Sequence, residues 1–184
     1  MRKNVFTAME LSGILFCTAA VCFLRNFYDM SPNSTVGILF GSVNRSVWEQ
    51  LKPIILCYIL YGLTELMCAM PYFRRFVSAK AVGLYASVIL YILIKIFLPA
   101  EFDGALTLIS ITLGFIISKK LTVFKKDISF MFCPACLMLL LIFIMYFSFS
   151  PFPPKTDLFL DKESGMYGII PDYIDKGASY LCGK

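Results

Sequence analysis

From Ile128 to Phe149 the chain reads ISFMFCPACLMLLLIFIMYFSF, with no charged side chain in the run. A bilayer core about 30 Å thick takes about 20 helical residues at about 1.5 Å each, and this run supplies them. A lipid-facing barrel strand would alternate in polarity, whereas this stretch is apolar throughout. Four earlier stretches read the same way, approximately Phe6 to Leu24, Pro53 to Phe73, Ala81 to Leu98 and Phe102 to Ser118. The stretch from Phe102 is the shortest, so a tilted or re-entrant segment competes there, with a full span the expectation. These runs predict an all-α, polytopic membrane bundle of five transmembrane helices.

Composition agrees. The 184 residues are 59% hydrophobic and 16% charged, against about 45–50% and about 25% in a typical soluble domain. Mean hydropathy is +0.77. A net charge of +5 would suit nucleic acid, but the lysines and arginines stand in short clusters between apolar runs. That is the membrane-protein distribution, and it excludes nucleic acid as a partner. The chain has no histidine, which removes the commonest general base and metal ligand. No nucleotide loop, Ser-His-Asp order or metal-ligand spacing occurs, so no cofactor and no metal are expected.

Orientation follows from the connections. Arg2 and Lys3 precede the first span, Arg74, Arg75 and Lys80 separate the second and third, and Lys119, Lys120, Lys125 and Lys126 separate the fourth and fifth. The connection after the third span carries Glu101 and Asp103 and no cation. The positive-inside rule then places the N-terminus in the cytoplasm and the C-terminal tail outside. Read as a signal peptide, the first run would end near Thr18-Ala19-Ala20; its length and the internal Glu10 favour an anchored helix. Two units result: a transmembrane domain over 1–151 with an outer loop over 25–52, and an outer tail over 152–184. In the tail Tyr167, Ile169, Ile170 and Tyr173 can pack on the bundle. In the loop Asn33 and Asn44 stand in glycosylation sequons. Ser46 and Glu49 form a capping box for a short helix from Val47. Trp48 suits the interface, and Pro53 favours a fresh helix start.

Charge inside lipid is the strongest local signal, since an ionisable residue in mid-span costs about 2.5–3.5 kcal/mol on insertion scales and usually faces a partner or cavity. Glu10 and Glu65 lie at similar depth in antiparallel helices, near the cytoplasmic side. Tyr58, Tyr61, Cys68 and Tyr72 share the helical face of Glu65. Two carboxyl groups close together would share a proton or hold a cation. The competing reading is a pair of protonated acids bonded to nearby hydroxyls. At the outer mouth stand Arg25, Asp29, Arg45, Glu49, Lys52 and Lys95. Arg45 and Glu49 can pair at four-residue spacing, leaving Arg25, Lys52 and Lys95 with no acid partner other than Asp29, Glu101 or Asp103, and so suited to an anionic lipid headgroup or solute; snorkelling is the alternative. Cys133-Pro134-Ala135-Cys136 has the spacing of thiol oxidoreductases but lacks an activating context. Thr107, Ser110, Gly114 and Ser118 form a small-residue packing stripe.

Two segments resemble a known pattern. Val43-Asn44-Arg45-Ser46-Val47-Trp48-Glu49-Gln50-Leu51-Lys52 is similar to the V-N-E-S-x-W-E-H-x-K signature of an uncharacterised family of small bacterial membrane proteins, domain-of-unknown-function family 6512. The tail, with Phe152-Pro153-Pro154, Asp157-Leu158-Phe159 and Tyr167-Gly168-Ile169, resembles that family's closing pattern. The resemblance covers nearly the whole chain to Ile169 and implies intramembrane glutamates at Glu10 and Glu65 and a bacterial cytoplasmic membrane as the location. Arg25 and Gln50 stand where the pattern has histidine, and Arg45 replaces a glutamate. Such a mouth is cationic rather than acidic and imidazole-bearing.

The expected site is therefore a ligand-binding one made of Glu10, Arg25, Asn44, Arg45, Trp48, Glu49, Lys52, Tyr61, Glu65 and Lys95, for a small or lipid-like, anionic ligand that is bound or translocated. The expected surroundings are the lipid bilayer. Two alternatives stand beside it: a membrane-embedded enzyme, using Glu49 as a base or Cys133 and Cys136 as a redox pair, and an accessory subunit bound to a membrane-protein partner.

Overall fold

A computed structural model describes residues 3–31, 34–69, 72–97, 102–123, 128–161 and 165–168. Arg2, Asn33, Glu101, Lys125, Lys126, Ile169, Ile170 and Tyr173 lie outside the described residues. Five long helices carry the fold: α1 (Lys3–Arg25), α4 (Val47–Ala69), α5 (Phe73–Phe97), α6 (Asp103–Val123) and α7 (Phe132–Ser148). Two short ones, α2 (Phe27–Met30) and α3 (Thr35–Phe40), occupy the loop between α1 and α4, and a 3-10 turn (Ser129–Met131) leads into α7. All five long segments have the length and apolarity to cross a bilayer. The chain is an integral, multi-pass helical membrane protein. The end of the bundle at which α1 begins is called the N-terminal end below, and the opposite one the far end.

The helices differ from the sequence reading mainly at their starts. Pro53 does not begin a helix; it is the seventh residue of a continuous α4. Proline removes the N–H that would bond the carbonyl four residues back, here that of Glu49. The Ser42 hydroxyl donates to that carbonyl instead, at 2.7 Å, and Arg25 Nη2 donates to the neighbouring Gln50 carbonyl at 3.2 Å. With its orphaned acceptor bonded from outside, the helix runs through the proline. Ser46 caps the start as the sequence indicates, its Oγ accepting from the Glu49 N–H at 3.3 Å. Helix α5 starts eight residues before the expected Ala81, which moves Arg74, Arg75 and Lys80 from a loop into its first turns. Likewise α6 runs on past Ser118 to Val123, so the shortest apolar run becomes a helix of 21 residues.

Helix α5 is the organising element, packed on α6 along most of its length and touching α7 and α4; α1 lies on α4 and α6. The α5–α6 crossing is close because Gly83 faces Gly114. A Cβ on Gly83 would stand 2.5 Å from the Gly114 carbonyl oxygen, and one on Gly114 would stand 2.9 Å from that of Gly83. The stripe of Thr107, Ser110, Gly114 and Ser118 is buried in this contact, as small residues at helix interfaces in lipid require. Around it pack Val21, Leu51, Ile55, Tyr58, Leu84, Tyr91, Ile111, Phe115 and Ile142. Helix α7, the most hydrophobic of the five, exposes Leu137, Leu141, Phe143 and Ile144. Such an outer surface is stable only against acyl chains or another protein.

Candidate functional site

Two polar clusters lie at opposite ends of the bundle. Glu10 stands seven residues into α1 and Lys80 seven into α5, while Glu65 lies four residues before the end of α4 and Ser118 five before the end of α6. Because α1 and α5 run antiparallel to α4 and α6, all four arrive at one depth near the N-terminal end. Lys80 Nζ is 3.1 Å from Glu10 Oε1 and 2.6 Å from Glu65 Oε2. Side-chain exposure is 8% for Lys80, 4% for Glu10 and 0% for Glu65. The Ser118 hydroxyl lies 3.3 Å from Glu10 Oε1. The ammonium also faces the Phe115 ring at 4.4 Å and the rings of Tyr58 and Phe76 at 5.5 Å each, a cation–π arrangement that helps hold it in an apolar place. Glu10 Oε2 and Glu65 Oε1 are buried with no hydrogen-bond partner among the described residues.

The sequence places Glu10 and Glu65 together but misses Lys80, which reads as one of a cluster of cations between two spans. Its signal lies in its neighbours. Ala79, Ala81 and Gly83 flank it, and it stands five residues beyond Arg75, more than one helical turn. The tyrosine face of α4 is shorter than expected. Tyr58 is buried, and the Tyr61 hydroxyl donates to the Met9 carbonyl at 2.7 Å. Cys68 is exposed, and Tyr72 lies beyond the end of the helix.

Against the triad runs a narrow groove of about 90 Å³ between α4, α5 and α7. Its walls are apolar, from Ile59, Gly62, Leu63, Leu66, Val77, Leu84 and Leu139, and Lys80 is the one charged residue lining it among the described residues. A Cβ on Gly62 would stand 4.0 Å from Lys80 Cδ, so the lysine stem passes close to this glycine. Leu63 is exposed, so the groove opens on the outer surface of the bundle.

The far-end cluster is built differently. Glu49 Oε2 accepts from the Val43 N–H and from Lys52 Nζ, both at 3.1 Å, and Oε1 accepts from the Ser150 hydroxyl at 2.7 Å. Lys52 Nζ also donates to Ser150 Oγ at 2.6 Å and to the Ile38 carbonyl at 3.1 Å. Lys52, which the sequence leaves without an acid, thus has Glu49 one helical turn away. Asn44 donates to the Gly168 carbonyl at 2.8 Å and accepts from the Ser46 N–H at 2.9 Å. The Trp48 ring packs on Phe149 and Phe159 at 5.3 and 5.5 Å. Arg25 Nη2 bonds the Tyr91 hydroxyl at 3.1 Å, which in turn donates to Gln50 Oε1 at 3.0 Å. Gln50 Nε2 reaches the Arg45 carbonyl at 3.2 Å, and Arg45 itself is exposed. Lys95 is ion-paired with Asp103. Cys133 and Cys136 are both exposed on the first turn of α7.

A sequence model described as a family of unknown function, DUF6512, matches residues 3–169. The chain belongs to the DUF6512 family. No curated protein and no solved structure matches it. The geometry gives the two DUF6512-like segments a common physical basis. Asn44, Trp48 and Lys52 of the first contact Gly168, Phe159 and Ser150 in or beside the second. Backbone pairing adds to this, with the Trp48 N–H on the Leu158 carbonyl at 3.1 Å. Arg25, Arg45 and Gln50 are also joined to one another by hydrogen bonds.

Proposed function

We propose that this protein binds a lipid-like ligand within the membrane. Its apolar part lies in the groove between α4, α5 and α7, and its polar end meets Lys80 with Glu10 and Glu65 behind it. The observation that carries the reading is one side chain, Lys80, that both lines an apolar groove and is held by two buried carboxylates. Intramembrane charge is costly enough that it ordinarily marks a ligand or ion site. Tyr61, bridging α4 to α1 beside the triad, positions the two glutamate helices. Asn44, Trp48, Glu49 and Lys52 hold the far end in shape, and Arg25 and Arg45 give it a cationic rim, with Lys95 balanced there by Asp103. The native setting is a bacterial cytoplasmic membrane with the N-terminus inside, supported by the family resemblance and by the clustering of cations at the N-terminal end.

A photoreactive, long-chain alcohol in phosphatidylcholine vesicles tests the reading. Adducts are expected on peptides from α4 and α7 around Gly62 and Leu139, and Gly62→Trp, which fills the groove, is expected to remove at least nine-tenths of them. Labelling spread evenly over the outward helix faces, and unchanged by Gly62→Trp, would overturn it.

A further inference from the structure

We infer that the Glu10–Lys80–Glu65 triad is a proton-binding site holding one exchangeable proton, shared between its two carboxyl groups. The inference rests on the triad of the reading above, but its test needs no ligand, so either can fail alone. Two carboxylates on one ammonium leave a surplus negative charge, and the three side chains are almost wholly withdrawn from solvent. A buried charge without compensation is among the costliest features a fold can carry. The groups facing the triad from each packed helix do not cancel it. From α4 the Tyr58 hydroxyl donates to the Gly114 carbonyl at 3.1 Å. From α1 the Cys17 thiol donates to the Cys57 carbonyl at 3.4 Å. From α6 come the Phe115 ring, on the ammonium, and the Ser118 hydroxyl, 3.3 Å from Glu10 Oε1. From α5, Phe76 offers a ring face to the ammonium and nothing to the acids.

Glu10 Oε2 and Glu65 Oε1 are left as buried acceptors with no donor among the described residues. One proton on either oxygen makes the triad neutral and turns an orphaned acceptor into a donor for the other carboxylate. Uptake adds H⁺ to a carboxylate oxygen and release removes it, with no electron transferred. A divalent cation fits less well, because calcium takes about 6–8 oxygen ligands and magnesium an octahedron of them. Here two carboxyl groups and one hydroxyl converge, already occupied by an ammonium.

Infrared spectroscopy of the full chain in lipid, in neutral buffer, reads this directly as the carbonyl band of a protonated carboxyl that shifts on exchange into D₂O. Wild type is expected to show one such group. Glu10→Gln and Glu65→Gln should each abolish the band, because a single remaining carboxylate balances Lys80. Lys80→Met should raise it to two. Retention of the band in either glutamine variant, or no increase in Lys80→Met, would overturn the inference. Should every variant fail to fold, a wild-type spectrum with no exchange-sensitive carboxyl band overturns it alone.

Discussion

An ammonium group removed from water costs several kcal/mol unless its partners repay the loss, and Lys80 has two carboxylates and three aromatic rings around it. Removing the cation alone would leave both acids buried without a counter-charge. Lys80→Met should therefore destabilise the protein by about 3–5 kcal/mol, the range for breaking a buried pair from one side. Lys80→Arg, which keeps the charge, should lose less. Reversible unfolding in mixed detergent micelles measures both, and a Lys80→Met midpoint equal to wild type would contradict the burial of this pair. At this scale the sequence reveals Glu10 and Glu65, because a carboxylate inside an apolar run has no other plausible place. Lys80 stays hidden because it follows Arg74 and Arg75, and a cation near arginines reads as a loop. Only its depth along α5, equal to that of Glu10 along α1, distinguishes it.

Helix α4 shows how an element can continue through a residue that ought to stop it. Pro53 leaves the Glu49 carbonyl without its helical donor, and the Ser42 hydroxyl fills the vacancy. The effect of Ser42 should therefore depend on the proline. Ser42→Ala alone should cost about 1 kcal/mol, the usual net worth of such a hydrogen bond. In a Pro53→Ala background, where an N–H at position 53 can bond Glu49, the same change should be near neutral. A double-mutant cycle measures the difference; additive effects would show that Ser42 does not compensate Pro53. The capping box does not close: the Ser46 N–H donates to Asn44 Oδ1 and the Glu49 carboxylate accepts from Val43. The sequence still correctly marks Ser46 as the cap, since a cap is local. It places the start of α4 at Pro53 wrongly because the compensating donor comes from a loop eleven residues earlier. Extension of α5 and α6 past their apolar runs has a related cause: Arg75 bonds the Leu121 carbonyl at 3.3 Å, so charged ends of adjacent helices satisfy one another and prolong both.

Across the whole molecule, five spans and a membrane setting are legible from apolarity alone, because continuous hydrophobic runs of about 20 residues have few other solutions. Contacts between distant segments are not. The tail's docking through Asn44 and Gly168, 124 positions apart, has no signal in composition or periodicity. The bundle thus has two ends of different character. At the far end Glu49, Asp103, Asn44 and Gln50 have internal partners, and loop, helix and tail are locked together. Near the N-terminal end three charges meet with acceptors to spare, beside an apolar groove. Lys80 turns inward to two glutamates rather than outward to lipid headgroups. Solid-state NMR in lipid bilayers, measuring dipolar coupling from Lys80 Nζ to side-chain carboxyl carbons, checks this orientation. Two short contacts are expected in wild type, one of them lost in Glu10→Gln and the other in Glu65→Gln. Coupling to lipid phosphate, with none to either carboxyl, would contradict it.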